Sequence, residues 1–225
     1  MLREKQAPYI QDNDEEMREF CNQHATSRVI IRKGQEVPPS EPDCTGFLDK
    51  GRVKIYMSSD IGEERLMWFL LEGSLMPFGN DKFYMKRAVA DEDSEIIYVT
   101  IDDIYTFAMQ SKKNMYSMIE QRDSRYNLCL QAILERQTES SPLKLYHFLL
   151  NMTQLYGQET ADGILLETLP SRNDIASFLG IHRSNVTRYL SDLEQAGILV
   201  KINKGILLKD QERLEELIEA EREEE

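Results

Sequence analysis

Polar and apolar positions from Ser171 to Gly197, SRNDIASFLGIHRSNVTRYLSDLEQAG, follow the period of two short helices joined by a tight turn. Ile175, Ala176 and Leu179 share one face of the first helix, and Gly180 stands where a left-handed residue ends it. Ile181 plugs the turn. Val186, Tyr189, Leu190 and Leu193 continue the apolar face in the second helix, which leaves Arg183, Ser184, Asn185, Thr187 and Arg188 on the outside. The small side chain of Ala176 lets the two helices cross closely, as a helix-turn-helix requires. Beyond Gly197, ILVKI and GILLK read as two strands around Asn203-Lys204-Gly205, a turn suited to a hairpin, and complete a winged helix.

From Ser27 to about Ile101 the pattern shortens to apolar or alternating runs: Arg28 to Arg32, Gly46 to Leu48, Arg52 to Met57, Glu64 to Leu70 and Glu95 to Thr100. Breaks fall at PPSEP, DKG, SSDIG and EGS. Strands so short and so many fit a jelly-roll or β-roll better than an open sheet. From Ile104 to about Glu139 the chain is helical without glycine or proline. Met115, Ile119, Arg122, Tyr126, Cys129, Ile133 and Arg136 recur three or four apart, the seam of a two-stranded coiled coil. Arg122 and Arg136 interrupt that seam and suit the approach of a ligand or an acidic partner. A lone amphipathic helix packed on its own barrel is the alternative.

Ser140-Ser141-Pro142 breaks the helix. Leu143, Tyr146, Leu149 and Leu150 then form another amphipathic helix, Gly157 to Gly163 reads as loop, and Ile164 to Leu169 as a short strand. The expected fold class is α+β. Residues 1–110 form a β-roll with an N-terminal helix, 111–140 a dimerisation helix, and 141–225 a winged helix-turn-helix with an acidic C-terminal helix.

At 225 residues and 41% apolar, the chain can hold two separate cores. No run approaches bilayer length, and MLREKQAPYIQDNDEEM lacks the apolar segment of a signal peptide, so a cytoplasmic location without membrane contact is expected. Cys21, Cys44 and Cys129 are odd in number and far apart, which suggests reduced thiols and no metal knuckle. A net charge of -13 argues at first against nucleic acid. Much of the acid, however, lies in the tail QERLEELIEAEREEE, while Arg172, Arg183, Arg188, Lys201 and Lys204 gather around the helical pair. Salt screens charges beyond about 8 to 10 Å, so the local field dominates.

The second helix has the chemistry of a DNA reader. Arg183 and Arg188 each offer a bidentate fork to guanine, Asn185 pairs with adenine, and Ser184 and Thr187 reach bases or phosphates. All five lie in its N-terminal half, the part that enters a major groove. Lys201 and Lys204 stand on the wing, where they can touch phosphate. An ordinary helical hairpin with a solvated face is the bland alternative. Met67, Trp68, Phe69, Met76, Phe78, Phe83, Tyr84 and Met85 concentrate in the middle of the β region, either as a pocket wall for an apolar effector or as core. Lys86 and Arg87 beside them suit an acidic ligand group, or are a solvated pair on a loop. A metal-dependent barrel enzyme needs converging histidines, and His24, His147 and His182 all lie outside the strands. Neither a phosphate loop nor a serine nucleophile elbow is present, so no catalytic or metal-binding residue is assigned.

This order of parts resembles the bacterial regulators related to the cyclic-AMP receptor protein and the fumarate-nitrate reduction regulator, the Crp-Fnr family. The likeness covers nearly the whole chain. SRNDIASFLGIHRSNVTRYLSDLEQAGIL carries it most strongly, supported by KGQEV at Lys33 to Val37, GFLDKGRVKIY at Gly46 to Tyr56, and the turn glycines Gly62 and Gly73. The resemblance implies a β-roll that senses a small molecule and a long helix that dimerises and relays the signal. Its implied partners are palindromic double-stranded DNA, a second copy of the chain and RNA polymerase. Arg183 and Arg188 match the family's guanine-reading and site-contacting arginines, and Arg172 a phosphate contact. Ser184 replaces a frequent glutamate, which implies a different half-site. Phe78-Gly79-Asn80 replaces the family's ribose-binding glutamate, and Lys86-Arg87-Ala88 stands at the phosphate element. The effector implied is therefore an unidentified small molecule other than cyclic AMP, with Trp68, Phe69, Phe78, Phe83, Tyr84, Lys86, Arg87, Arg122 and Tyr126 as candidate contacts. No cofactor is implied, since lone Cys21 supplies no iron-sulfur cluster and the roll has no histidine for haem. An effector-independent DNA-binding protein is the alternative.

Overall fold

A computed structural model describes residues 8–10, 12, 14–58, 61–76 and 85–223. The fold is α+β and divides inside one long helix into two compact units, one ending at Asn127 and the next starting at Leu128.

The first unit begins with β1 (Tyr9–Ile10) and α1 (Glu15–Gln23), whose N-cap Asp14 accepts from Met17 N at 3.0 Å. Strands β2 (Ser27–Ile31), β3 (Cys44–Lys50), β4 (Arg52–Ser58), β5 (Glu64–Leu71), β6 (Ser74–Leu75), β7 (Met85–Ala90) and β8 (Ser94–Thr100) follow. They form two four-stranded sheets, ordered β1-β5-β4-β7 and β2-β8-β3-β6. Then come α2 (Ile101–Gln110) and α3 (Lys112–Thr138).

Alternation along the strands builds the core. Phe47, Ile97 and Val99 on one face of the second sheet pack with Met17, Phe20 and Cys21 of α1 and with Ile104 and Phe107 of α2. Leu48 and Ile96, on the opposite face, are fully buried in the roll. Gly62 and Gly73 adopt positive φ at turns, as the turn reading requires.

Three expectations need correction. The helix foreseen from Ile104 to Glu139 is two helices, because Ser111 ends one and its hydroxyl accepts from Asn114 N at 3.0 Å to start the next. Lys86 and Arg87 lie in β7, not on a loop, and the Gly157 to Gly163 loop contains a strand.

The second unit holds the last residues of α3, then α4 (Ser141–Tyr156), capped by Ser140 with Pro142 in its first turn. After it come β9 (Gln158–Thr160), β10 (Gly163–Leu166), α5 (Arg172–Leu179), α6 (Arg183–Gln195), β11 (Leu199–Ile202), β12 (Gly205–Leu208) and α7 (Gln211–Glu223). One sheet runs β11-β12-β10-β9. Leu145, Leu149, Met152, Ile175, Val186, Leu193, Leu199 and Ile218 are buried between it and the helices, and Phe148 meets Phe178 with ring centroids 6.0 Å apart. Such a core fixes α6 and the β11-β12 hairpin on one rigid body.

Candidate nucleic-acid interface

Local chemistry sets the pair α5-α6. Ser171 caps α5 by accepting from Asp174 N at 3.2 Å and donates to the Asp174 carboxylate at 2.6 Å. Gly180 ends the helix at φ 67°, ψ 35°, and Ile181 N bonds back to Ala176 O at 3.1 Å. A left-handed residue of that kind costs glycine nothing and other residues about 1 kcal/mol. Val186, Leu190 and Leu193 bury one stripe of α6, with Tyr189 half-buried edge-on to Tyr146.

The opposite stripe of α6 faces solvent. Arg183, Ser184 and Arg188 are exposed, and Asn185 and Thr187 are half-buried. Arg183, Ser184, Thr187, Arg188, Ser191 and Asp192 line a shallow concavity of about 470 Å³. Asn185 stands outside it. Ser191 and Asp192 were not foreseen, although the helical period that links Ser184 to Arg188 continues through both. Tyr189 was read only as core. Its ring lies 4.8 Å beneath the Arg188 guanidinium, and its hydroxyl accepts from Arg188 at 3.0 Å, which holds that fork in one plane.

On the hairpin, Asn203 takes a positive φ of 34°, and Lys204 is exposed at the turn. Lys201 differs: it is half-buried and its ammonium is held in an ion pair by Glu194 of α6. The hydrogen bond from Lys201 holds the Glu194 carboxyl below its usual range, with smaller help from the charge of Arg172. Arg172, half-buried, opens α5. Lys201 and Glu194 are seven residues apart across a turn, a pairing that no sequence period signals.

Of the residues expected to line an effector pocket, those described do not share one wall. Register pairs Ile55 with Trp68 and Lys54 with Phe69, so these adjacent aromatics lie on opposite faces of β5 and cannot line one wall. Trp68 is on the face of buried Val53, Ile55 and Leu70, and its Nε1 is buried without a hydrogen-bond partner among the described residues. Phe69 packs outside against Tyr9, with ring centroids 5.1 Å apart. Arg87 is already paired: Glu64 accepts from it twice, at 2.6 and 2.5 Å, and the Tyr56 ring lies 4.8 Å away. Arg122 and Tyr126 are exposed on α3. Phe78, Phe83, Tyr84 and the Lys86 side chain lie outside the described residues.

Among the described residues no group of three or more His, Cys, Asp or Glu could hold a metal ion. Burial pushes the Cys21 thiol up to about 12, so it is a packing group rather than a nucleophile. No helix of the described residues is long and apolar enough to cross a membrane.

Residues 143–217 match the Crp-like helix-turn-helix domain family. The anaerobic regulatory protein of Bacillus subtilis is 25% identical over 127 residues, 56% of this chain, and that match spans about half (53%) of the relative. The global nitrogen regulator of a Nostoc species is 28% identical over 190 residues, 77% of this chain and 83% of that protein. Among solved structures, CprK complexed with OCPA superposes with a TM-score of 0.77 at 18% identity, covering 92% of this chain and 97% of that one. That likeness is one of fold.

Proposed function

Residues 143–217 belong to the Crp-like helix-turn-helix family, and from that premise we propose that this chain is a Crp-Fnr-type transcription regulator that works as a homodimer on palindromic DNA, gated by a small molecule held in the β-roll. The observation that carries the DNA reading is the concavity on α6, where two arginines and three hydroxyl side chains share one solvent-facing stripe. Arg183 and Arg188 read base edges, Ser184, Asn185 and Thr187 add base or phosphate contacts, and Arg172 and Lys204 bind the backbone. Two such helices, about 34 Å apart in a dimer, would enter successive major grooves.

Residues 111–140 supply the dimer contact in this reading. Met115, Ile119, Tyr126 and Ile133 expose apolar surface at coiled-coil spacing along α3. The gating reading draws on Trp68, because an indole N–H buried among apolar side chains calls for an acceptor that the described protein does not supply. CprK, a protein of the same fold, is complexed with OCPA in its structure. A ligand here would shift the balance between two arrangements of the dimer through its different affinity for each.

Selection of duplexes from a random pool tests the proposal, with Arg183→Ala run in parallel. Enrichment of an inverted repeat by the parent alone is expected. If neither protein enriches any sequence, with or without metabolites from cell extract, the DNA reading fails.

A further inference from the structure

The DNA-facing side of the second unit contains a carboxylate among its cations. Glu194 lies in the last turn of α6, and the chain returns through Gly197 into β11, which brings Lys201 back against it. The Glu194 carboxylate pairs with the Lys201 ammonium and lies 3.5 Å from Lys201 N. Arg172, at the start of α5, also acts on it electrostatically. Glu194 therefore sits under the field of two side chains read above as backbone contacts.

We propose that Glu194 is an intramolecular substitute for a DNA phosphate: it neutralises Lys201 in the free protein and so lowers affinity for the DNA backbone whatever the sequence. This rests on the DNA-binding reading of the second unit. Both members of the pair keep about a third of their side-chain surface in solvent (34% for Lys201, 39% for Glu194), so the contact can exchange with a phosphate oxygen of similar geometry. Lys204, exposed at the hairpin turn, has no ion pair among the described residues, so the brake acts on one wing lysine and not on the other. The consequence suits a regulator. Backbone binding supplies essentially all non-specific affinity, and an internal counter-charge reduces the protein held on non-cognate DNA while leaving base contacts on α6 untouched.

A double-mutant cycle with Glu194→Gln and Lys201→Ala tests this on a duplex of random sequence and on the selected site, with affinity measured across a salt series. Each additional phosphate neutralised steepens the salt slope by about 0.9, or about eightfold in affinity at 0.1 M salt. Glu194→Gln is expected to tighten both duplexes by that order and to steepen the slope by about that amount. In the Lys201→Ala background the same substitution should change neither. Two outcomes overturn the proposal: a slope unchanged in Glu194→Gln, or an equal gain without Lys201, which would reduce the effect to net charge. Weaker binding by Glu194→Gln would also overturn it and make the pair a brace for the wing. Failure of the parent to bind any duplex would instead bring down the DNA-binding reading, and this inference with it.

Discussion

The Asp12 carboxylate accepts from the Arg125 guanidinium at 2.5 Å, tying the segment before α1 to the middle of α3. Asp12 also accepts from Leu75 N at 3.2 Å, and its own N–H donates to Ser74 Oγ at 3.0 Å. With only 4% of its side chain exposed, burial raises the Asp12 carboxyl above the usual range, although Arg125 acts to lower it. The cost of desolvation outweighs the attraction of the pair.

Asp12→Asn is accordingly expected to change stability at pH 7 by no more than about 1 kcal/mol, because an amide oxygen still serves the two donors. Asp12→Ala leaves both donors buried and should cost about 3 to 5 kcal/mol. The folded protein holds the Asp12 proton more tightly than the unfolded chain. Its contribution is therefore present at low pH and is lost as pH rises from the usual carboxylate value through the raised one. Urea unfolding across that window should show this loss in the parent and not in Asp12→Asn.

Asp91 has the opposite sign. Burial alone would raise its carboxyl, but the hydrogen bond from Lys54 and the charge of Arg52 overcome that and hold it below the usual range. Arg52 lies 2.6 Å and Lys54 2.9 Å from its oxygens. The resulting stability is full above the usual carboxylate value and is lost as pH falls through the lowered one. Asp91→Asn should cost about 3 kcal/mol at pH 7, with the gap to the parent narrowing toward acid.

Two glycines of the second unit should tolerate alanine very differently. At Gly197 a Cβ would meet nothing within 4 Å, so the left-handed backbone (φ 73°) is the only obstacle and Gly197→Ala should cost about 1 kcal/mol. At Gly205 a Cβ would stand 1.9 Å from Leu166 O and 2.6 Å from the Glu167 carbonyl carbon, both backbone atoms. Since β12 pairs with β10 from the next residue, Ile206 with Leu166, Gly205→Ala must part the wing sheet. Thermal melting should rank the two in that order.

Apolar residues at coiled-coil spacing on α3 make the proposed dimer testable without DNA. Ile119 and Ile133 are about half exposed in the single chain, so Ile119→Glu with Ile133→Glu should yield monomers in sedimentation equilibrium. A pair variant that stays dimeric would move the interface to another surface.

The helix-turn-helix was legible because several local signals agreed: the apolar period, small Ala176, Gly180 and the NKG turn. Strand β7 was not, since MKRAVA offers two alanines where a strand usually shows branched or aromatic residues. β9 is exposed at all three positions and carries no hydrophobic signal. The break at Ser111 was readable in principle as a serine cap three residues before Asn114, but the continuous apolar period concealed it. Trp68 and Phe69 went together because composition counts neighbours, whereas a strand sends them to opposite faces. Arg87 and Lys201 looked available because their acidic partners, Glu64 and Glu194, are brought to them by folding across turns.

Arg183 and Lys204 should respond to the same truncation in different ways. Arg183 is exposed on the concave stripe of α6, and with the proposed contact of its guanidinium fork to a base edge Arg183→Ala should cost about 1 to 3 kcal/mol on the selected site and relax preference at one base pair. Lys204 is exposed at the turn of the wing, the position proposed to meet phosphates and not bases. Lys204→Ala should weaken all sequences alike and flatten the salt slope by about 0.9. Titrations of matched and mismatched duplexes over a salt series separate the two. If Arg183→Ala lowered every sequence equally, α6 would be a backbone contact, and if Lys204→Ala left the slope unchanged, the wing would not touch DNA.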